Sequence, residues 1–118
     1  VNRIVAGGNY GWRPNQPCND VDANYILPIV KFTPCIAPTG VTFYTGAEFP
    51  EFAGDLLMGS FNDGRLRRFR VDDSANNPVL EQSTILSSRT GGVIDVTQGN
   101  DGGIYFCDGT GIYRLVRS

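Results

Sequence analysis

Glycine and proline interrupt this chain so often that long helices are excluded. The 118 residues include 15 Gly and 7 Pro, about one helix breaker in every five positions, which favours short strands joined by tight turns. Hydrophobic residues make up 41% and charged residues 19% of the chain, a balance typical of one small globular domain.

Short runs rich in β-branched and aromatic residues follow a loop-like segment at 1–25. We predict strands at 26–32, 40–45, 55–61, 65–71, 79–86, 92–97, 103–107 and 111–117. The dipeptides Asp63-Gly64, Asp101-Gly102 and Asp108-Gly109 lie between runs. They predict hairpins, because Gly adopts the positive φ of such turns at little cost.

The second half of the chain contains an approximate repeat. A shift of 46 places Leu66 on Ile112, and a shift of 52 places Gly40 on Gly92. This period predicts an all-β fold of antiparallel four-stranded blades of a β-propeller, about two blades in all. An ordinary β-sandwich with similar hairpins is the alternative.

We therefore expect a single partial propeller domain over 1–118. Its parts would be a loop (1–25), an outer strand plus one blade (26–86) and a second, incomplete blade (87–118). Because a propeller closes with about four to eight blades, we expect a fragment of a longer propeller or a protomer that completes a ring. Three copies forming a six-bladed ring are one version of the latter. The start at Val1 rather than Met is consistent with a mature product or a piece of something longer.

Charge and residue types narrow the function classes. The net charge of −2 argues against a nucleic-acid partner, which would require a basic patch. No apolar run reaches the ~20 residues of a membrane-spanning helix, so no membrane partner is expected. The chain has no His, which excludes an imidazole base or metal ligand.

The cysteines and one acidic segment each allow two interpretations. Cys18 and Cys35 are spaced so that a disulfide could join them, although both could equally be free thiols. Cys107 is interpreted as a buried, inert thiol. The segment 19–24 has side-chain oxygens at alternate positions, as in a calcium loop. A solvated loop with Asx turns is the favoured interpretation.

Four arginines cluster at 65–70: Arg65, Arg67, Arg68 and Arg70. They could suggest RNA or phosphate binding. Because alternation places them on both faces of a strand and acidic residues lie nearby, we predict a salt-bridged surface instead.

Several segments resemble the soluble, pyrroloquinoline-quinone (PQQ)-dependent glucose/sorbosone dehydrogenases. Residues 1–12 are similar to that family's N-x-I-x-x-G-x-N-Y-G-W segment. Residues 37–50 are similar to its A-P-S-G, F-Y-x-G and F-P stretch, and 100–105 to its P-D-G-x-L-Y. The resemblance covers nearly the whole chain in order and implies the last two blades or so of a six-bladed propeller.

The departures from the family pattern concern the cofactor. The resemblance implies PQQ and calcium, with an Arg pair in an R-x-R-D-V string that here reads Gly92-Val93-Ile94-Asp95-Val96. Gly92 and Ile94 occupy the two arginine positions, and Asn62 corresponds to a family Lys. These replacements predict weak or absent quinone binding. The family's catalytic His and calcium loop belong to earlier blades, so the chain alone should not be a competent dehydrogenase.

Ligands of propellers usually bind at the face lined by turns between and within blades. For this chain the turns are 33–39, 61–65, 87–91 and 107–111. Candidate cofactor contacts there are Arg89, Arg65, Asn62, Thr33 and Thr39. The two arginines rank highest, because they have no turn role and can bind anions. Asn62, Asp63 and Asp108 are more simply turn residues.

Two functions remain open from the sequence. The first is the C-terminal part of a sugar-oxidising, PQQ-dependent propeller. The second is a non-catalytic binding or scaffold module, either a propeller-like protein that has lost its cofactor contacts or a short chain that oligomerises into a ring. The expected partners are the remaining blades or further copies, with a sugar as ligand. Trp12 and Tyr10 could stack on a sugar, whereas packing against the first blade is the ordinary explanation. The family, together with a Cys18–Cys35 disulfide if one forms, suggests an extracellular or periplasmic location.

Overall fold

The computed structural model describes residues 1–14 and 22–118. These residues form two compact units, 1–36 and 37–118. The Cys18–Cys35 disulfide and the first part of the 19–24 loop involve residues 15–21, outside the described residues, and stay predictions.

The first unit has no regular strand in its described part. Isolated hydrogen bonds join its two ends: the Val1 amino group donates to Val30 O (2.8 Å), and the Ile29 amide donates to Val1 O (2.9 Å). The predicted strand at 26–32 is therefore wrong. Pro28 has no amide hydrogen to donate, so a ladder cannot run unbroken through the middle of this segment.

The second unit consists of two antiparallel sheets, each with its strands in sequence order. The four-stranded sheet comprises β1 (Pro38–Phe43), β2 (Leu56–Ser60), β3 (Arg65–Val71) and β4 (Val79–Leu86). The three-stranded sheet comprises β5 (Val93–Gln98), β6 (Ile104–Asp108) and β7 (Ile112–Arg114). One turn of 3-10 helix, Pro50–Phe52, was not predicted. No helix in the described chain is long and apolar enough to cross a bilayer.

Two of the three predicted glycine turns use a positive φ. Gly64 has a φ of +58° and Gly102 a φ of +79°, as hairpins of this kind require. Gly109 lies outside the positive-φ region. There the Asp108 carboxylate closes the turn instead, by accepting hydrogen bonds from the Thr110 and Gly111 amides (2.8 and 3.2 Å).

The core lies where the two sheets pack face to face. Its buried members are Tyr44, Phe49, Leu57, Leu66, Val93, Val96, Ile104 and Phe106. Gly59 of β2 permits this close packing, because a Cβ at residue 59 would lie 2.7 Å from Val93 Cγ1. Apolar burial of this kind contributes about 1.5–3 kcal/mol for each large side chain.

Polar contacts fix the loops beyond one end of this core. The buried Tyr44 hydroxyl donates to Gly102 O (2.7 Å) and accepts from the Phe49 amide (3.1 Å). The Arg68 guanidinium binds the buried Asp55 carboxylate. The Tyr44 hydrogen bonds hold the loop between β1 and β2 against the turn between β5 and β6, and the Arg68–Asp55 pair joins the end of that loop to β3.

The 46-residue repeat relates β3 to β7, the third strand of each sheet. Leu66 pairs with Gly59, and both face the second sheet; Ile112 pairs with Cys107 in the same arrangement. Leu66 is fully buried, whereas Ile112 is 81% exposed. Cys107 and Ile112 therefore lie on the outer face of the three-stranded sheet. That face corresponds to the face of the four-stranded sheet that carries Gly59 and Leu66 and is covered.

The 52-residue shift does not match the strand register. Val41 pairs with Met58, and the residue in the corresponding place of the second sheet is Val96, paired with Phe106. Val93 instead pairs with Asp108, at the other side of an irregularity in β5. The shared Gly-Val dipeptides therefore misalign the first strands of the two sheets.

Candidate functional site

Loops from both sheets meet at one end of the second unit, which we call the turn face. The Arg89 amide donates to Gly64 O (3.0 Å), and the Gly109 amide donates to Thr90 O (3.0 Å). These backbone bonds tie the hairpin of one sheet to the connection between sheets, and that connection to the hairpin of the other. The turn face comprises residues 37–39, 61–65, 87–92 and 107–111.

The structure brings four of the five sequence-predicted site residues to the turn face. Asn62 is exposed in the β2–β3 turn, Arg65 begins β3, Arg89 lies between β4 and β5, and Thr39 lies near the start of β1. Thr33 is an exposed residue of the first unit.

Arg89 is held by a carboxylate and two aromatic rings. Its Nε and Nη2 atoms both bind Asp108 Oδ2, at 2.8 and 2.7 Å. Its guanidinium carbon lies 4.6 Å from the ring centroid of Tyr113 and 5.4 Å from that of Phe106. The two rings stack on each other with centroids 5.4 Å apart. Arg89 is thus fixed by an ion pair and by cation–π contacts.

Asp108 is held in its charged form by its own turn. Hydrogen bonds from Thr110, first from its hydroxyl (2.6 Å) and then from its amide, together with the Arg89 guanidinium, lower the pKa of Asp108 from 3.8 to about 2. Burial of the carboxylate opposes this shift. The Asp108 carboxylate therefore stays ionised and keeps the charge of Arg89 neutralised.

A second charge cluster lies at the β2–β3 turn. The buried Arg67 guanidinium binds the Asp63 carboxylate and the Ser60 hydroxyl, and Arg65 Nε lies 3.8 Å from Asp63 Oδ2. Hydrogen bonding from Arg67 is the main cause that lowers the pKa of Asp63. Asp63 is therefore shared between two arginines.

Thr39 and Gly92 mark where the backbones of the two sheets come close. The Thr39 hydroxyl donates to Val93 O (2.7 Å). Gly92 has a φ of +74°, and a Cβ at this position would lie 2.5 Å from Phe61 O. Residue 92 must therefore be Gly in this backbone, because a side chain would need both strain and displacement of the neighbouring loop.

Sequence reasoning missed two side chains that contact this face, Arg67 beside Asp63 and Tyr113 beside Arg89. Arg67 was assigned to a salt-bridged surface; its ion pair exists, but its side chain is 5% exposed, so the surface assignment is wrong. Alternation along β3 places Arg67 on the same face of the four-stranded sheet as Met58, its partner in β2. Both residues are buried. Tyr113 could have been found from the β6–β7 hairpin, whose register pairs it with Phe106.

A shallow apolar groove lies on the outer side of the three-stranded sheet. Its volume is about 180 Å³, and Tyr105, Cys107 and Ile112 contribute to its lining. Cys107 is half-buried and has a free thiol, so the prediction of a buried thiol is wrong in its degree of burial. The strand alternation turns Cys107 away from the core that holds Phe106.

The carboxylates and thiols of the described chain are dispersed. Among residues 1–14 and 22–118, no group of three or more acidic or cysteine side chains is placed to hold a metal ion.

The sequence was compared with models of protein families and with individual proteins. The sequence model described as Glucose / Sorbosone dehydrogenase matches residues 1–117. An uncharacterised protein of Synechocystis sp. is 34% identical over 89% of this chain and 27% of its own length. The chain thus spans about a quarter of that relative.

Solved structures give the same result for the fold. A Thermus thermophilus protein described as an oxidoreductase (glucose dehydrogenase) is similar over 98% of this chain and 35% of its own, with 27% identity and a TM-score of 0.72. A glucose dehydrogenase crystal structure matches 99% of this chain and 37% of its own, with 22% identity and a TM-score of 0.79. The predicted all-β, partial-propeller fold is confirmed.

Proposed function

The chain belongs to the glucose/sorbosone dehydrogenase family, and on that premise we propose that residues 37–118 form two neighbouring blades of the wall of a sugar-oxidising propeller. The catalytic groups would lie on other blades, since this chain has no His to supply an imidazole base. A sugar hydroxyl is the proposed substrate group, and an extracellular or periplasmic location follows from the family resemblance.

The equivalence of two sheet faces carries the proposal. Leu57 and Leu66 belong to the four-stranded sheet. Both are fully buried, because the three-stranded sheet covers them. The corresponding positions of the three-stranded sheet are Tyr105 and Ile112, and both contribute to the outer groove. An apolar face of this kind in a repeat architecture is stabilised by the next repeat.

The partner of the outer groove is, in this proposal, a further antiparallel sheet. It would come from the same polypeptide or from another copy of the chain. A residue like Val96 or Phe106 would point into the groove, as those residues now point at the four-stranded sheet. β7 is the last strand in the order of this sheet, and its outer edge offers backbone groups for a fourth strand, which would complete this blade.

A charge placed in the groove tests this assembly. In the protein expressed from its gene, we expect Ile112→Lys to lower the free energy of unfolding by about 2 kcal/mol or more, because a covering sheet would bury the ammonium group. Leu80→Lys is the matched control, since Leu80 is an exposed apolar residue on β4. Equal and small effects of the two substitutions would contradict the assembly.

The proposed activity has its own assay. The protein expressed from its gene is supplied with PQQ and Ca²⁺, and reduction of a redox dye is measured against a panel of aldoses. We expect dye reduction that depends on the sugar. Failure with every sugar of the panel would contradict the dehydrogenase proposal.

A second candidate function is a non-catalytic propeller module. The observations that favour it are Gly92 and Ile94 in place of an arginine pair, and the pairing of Arg89 with Asp108. For this candidate the blades would serve binding or assembly alone. An intact assembly without sugar oxidation is its expected result in the two experiments above.

A further inference from the structure

We infer that the turn face of these two blades does not hold the carboxylates of PQQ, although the family resemblance implies that cofactor. The inference goes beyond the proposed function, because it concerns the residues of this face and not the activity of a whole propeller. It follows from the charges, the backbone and the side chains of residues 37–118.

Each of three arginines on or beside the turn face has a carboxylate within ion-pair distance. Arg89 binds Asp108 through two nitrogens, and Arg67 binds Asp63. Arg65 lies within ion-pair distance of the same Asp63. A bound carboxylate ligand would compete with these internal partners, and the approach of another anion to a neutralised pair gains little Coulomb energy.

Arg89 uses two of its three guanidinium nitrogens to bind Asp108. The guanidinium lies over Tyr113 and Phe106 and uses Nε and Nη2 for Asp108. To bind a ligand bidentately through those atoms, Arg89 would have to leave Asp108, whose side chain is only 1% exposed. Removing the partner of a buried carboxylate is unfavourable.

The two positions where the family has arginines do not fit that role either. At residue 92 the left-handed backbone and the neighbouring Phe61 O leave no room for a side chain. Ile94 is partly exposed and has no charge, and Asp95, which follows it, is exposed and anionic. Residues 92–95, which run from the turn face into β5, therefore offer no cation to a quinone carboxylate.

Binding of PQQ to the protein expressed from its gene tests the inference. Equilibrium dialysis at low ionic strength compares the wild type with Arg89→Gln, Arg65→Gln and Arg70→Gln. The last is a matched control that removes the same charge from an exposed position of β3. Circular dichroism checks the fold of each variant, and Arg89→Lys keeps the charge should the Gln variant unfold.

We expect either no saturable binding or binding that is the same for all four proteins. A tenfold or greater loss of affinity in Arg89→Gln or Arg65→Gln, with Arg70→Gln unchanged, would overturn the inference. If Arg89→Gln unfolds, a tenfold loss in Arg89→Lys counts in the same way. Because dialysis reports binding and not catalysis, its result is independent of the sugar-oxidation assay.

Discussion

Replacing Gly59 with Ala should push the two sheets apart where β2 packs on Val93. The added methyl group would lie 2.6 Å from Thr39 Oγ1 and 2.7 Å from Val93 Cγ1. Val93 is fully buried and cannot withdraw. Overpacking of this kind costs about 1–3 kcal/mol, and loss of the Thr39–Val93 hydrogen bond costs about 1 kcal/mol more. Ala gains roughly 0.5–1 kcal/mol over Gly in a strand, so we expect a net loss of about 2 kcal/mol.

Urea unfolding followed by circular dichroism measures this loss. Gly111→Ala is the matched control, because its Cβ would meet no atom closer than 3.5 Å and should change stability by less than about 0.5 kcal/mol. The midpoint should fall for Gly59→Ala with an unchanged slope. A variant at residue 59 as stable as the control would refute the close packing of the two sheets.

Three further predictions concern polar groups. Tyr44→Phe should lower stability by about 1–3 kcal/mol, because it removes the hydroxyl that pairs with the Phe49 amide and the Gly102 carbonyl, whereas Tyr105→Phe, with a more exposed hydroxyl, should have a smaller effect in the same urea assay. Arg68→Met should cost about 3 kcal/mol by leaving a buried carboxylate alone, while Arg70→Met should be nearly neutral by thermal unfolding. Because the pKa of Asp108 is lowered from 3.8 to about 2, its stabilisation should be present above pH 4 and lost as the pH falls to about 2. In an acid titration Asp108→Asn should remove that part of the pH dependence; an unchanged profile would contradict it.

Much of the second unit could be predicted from sequence because its signals are local. Strands such as β3 and β4 are bounded by glycine and proline turns, and alternation of apolar side chains places residues on faces. The predicted strand at 26–32 is wrong because strand pairing there is not specified by local signals. Its residues have strand-like side chains, but pairing depends on a neighbour that no local pattern specifies, and Pro28 interrupts any ladder.

The candidate site was harder to predict, because its chemistry depends on pairs that are distant in sequence. The pattern could place Arg89 and Arg65 at the turns, where they were expected to be available for anions. It could not show that Arg89 meets Asp108 and Tyr113, which requires the packing of the β6–β7 hairpin against the preceding connection. The steric reason for Gly92 likewise depends on the loop at Phe61.

The outer groove shows a difference between two residues that the sequence repeat relates as equivalent. The sequence relates Leu66 to Ile112, and the structure shows that only the first of these is covered. In the proposed assembly, Ile112 is therefore the side chain that a covering sheet would bury.

A crystal structure of the protein expressed from its gene tests the central claim most directly. We predict that a further antiparallel sheet, from the same polypeptide or from another copy, packs on Tyr105, Cys107 and Ile112. Solvent over those three side chains, with the rest of the molecule packed elsewhere, would contradict the assignment of residues 37–118 as two blades of a propeller.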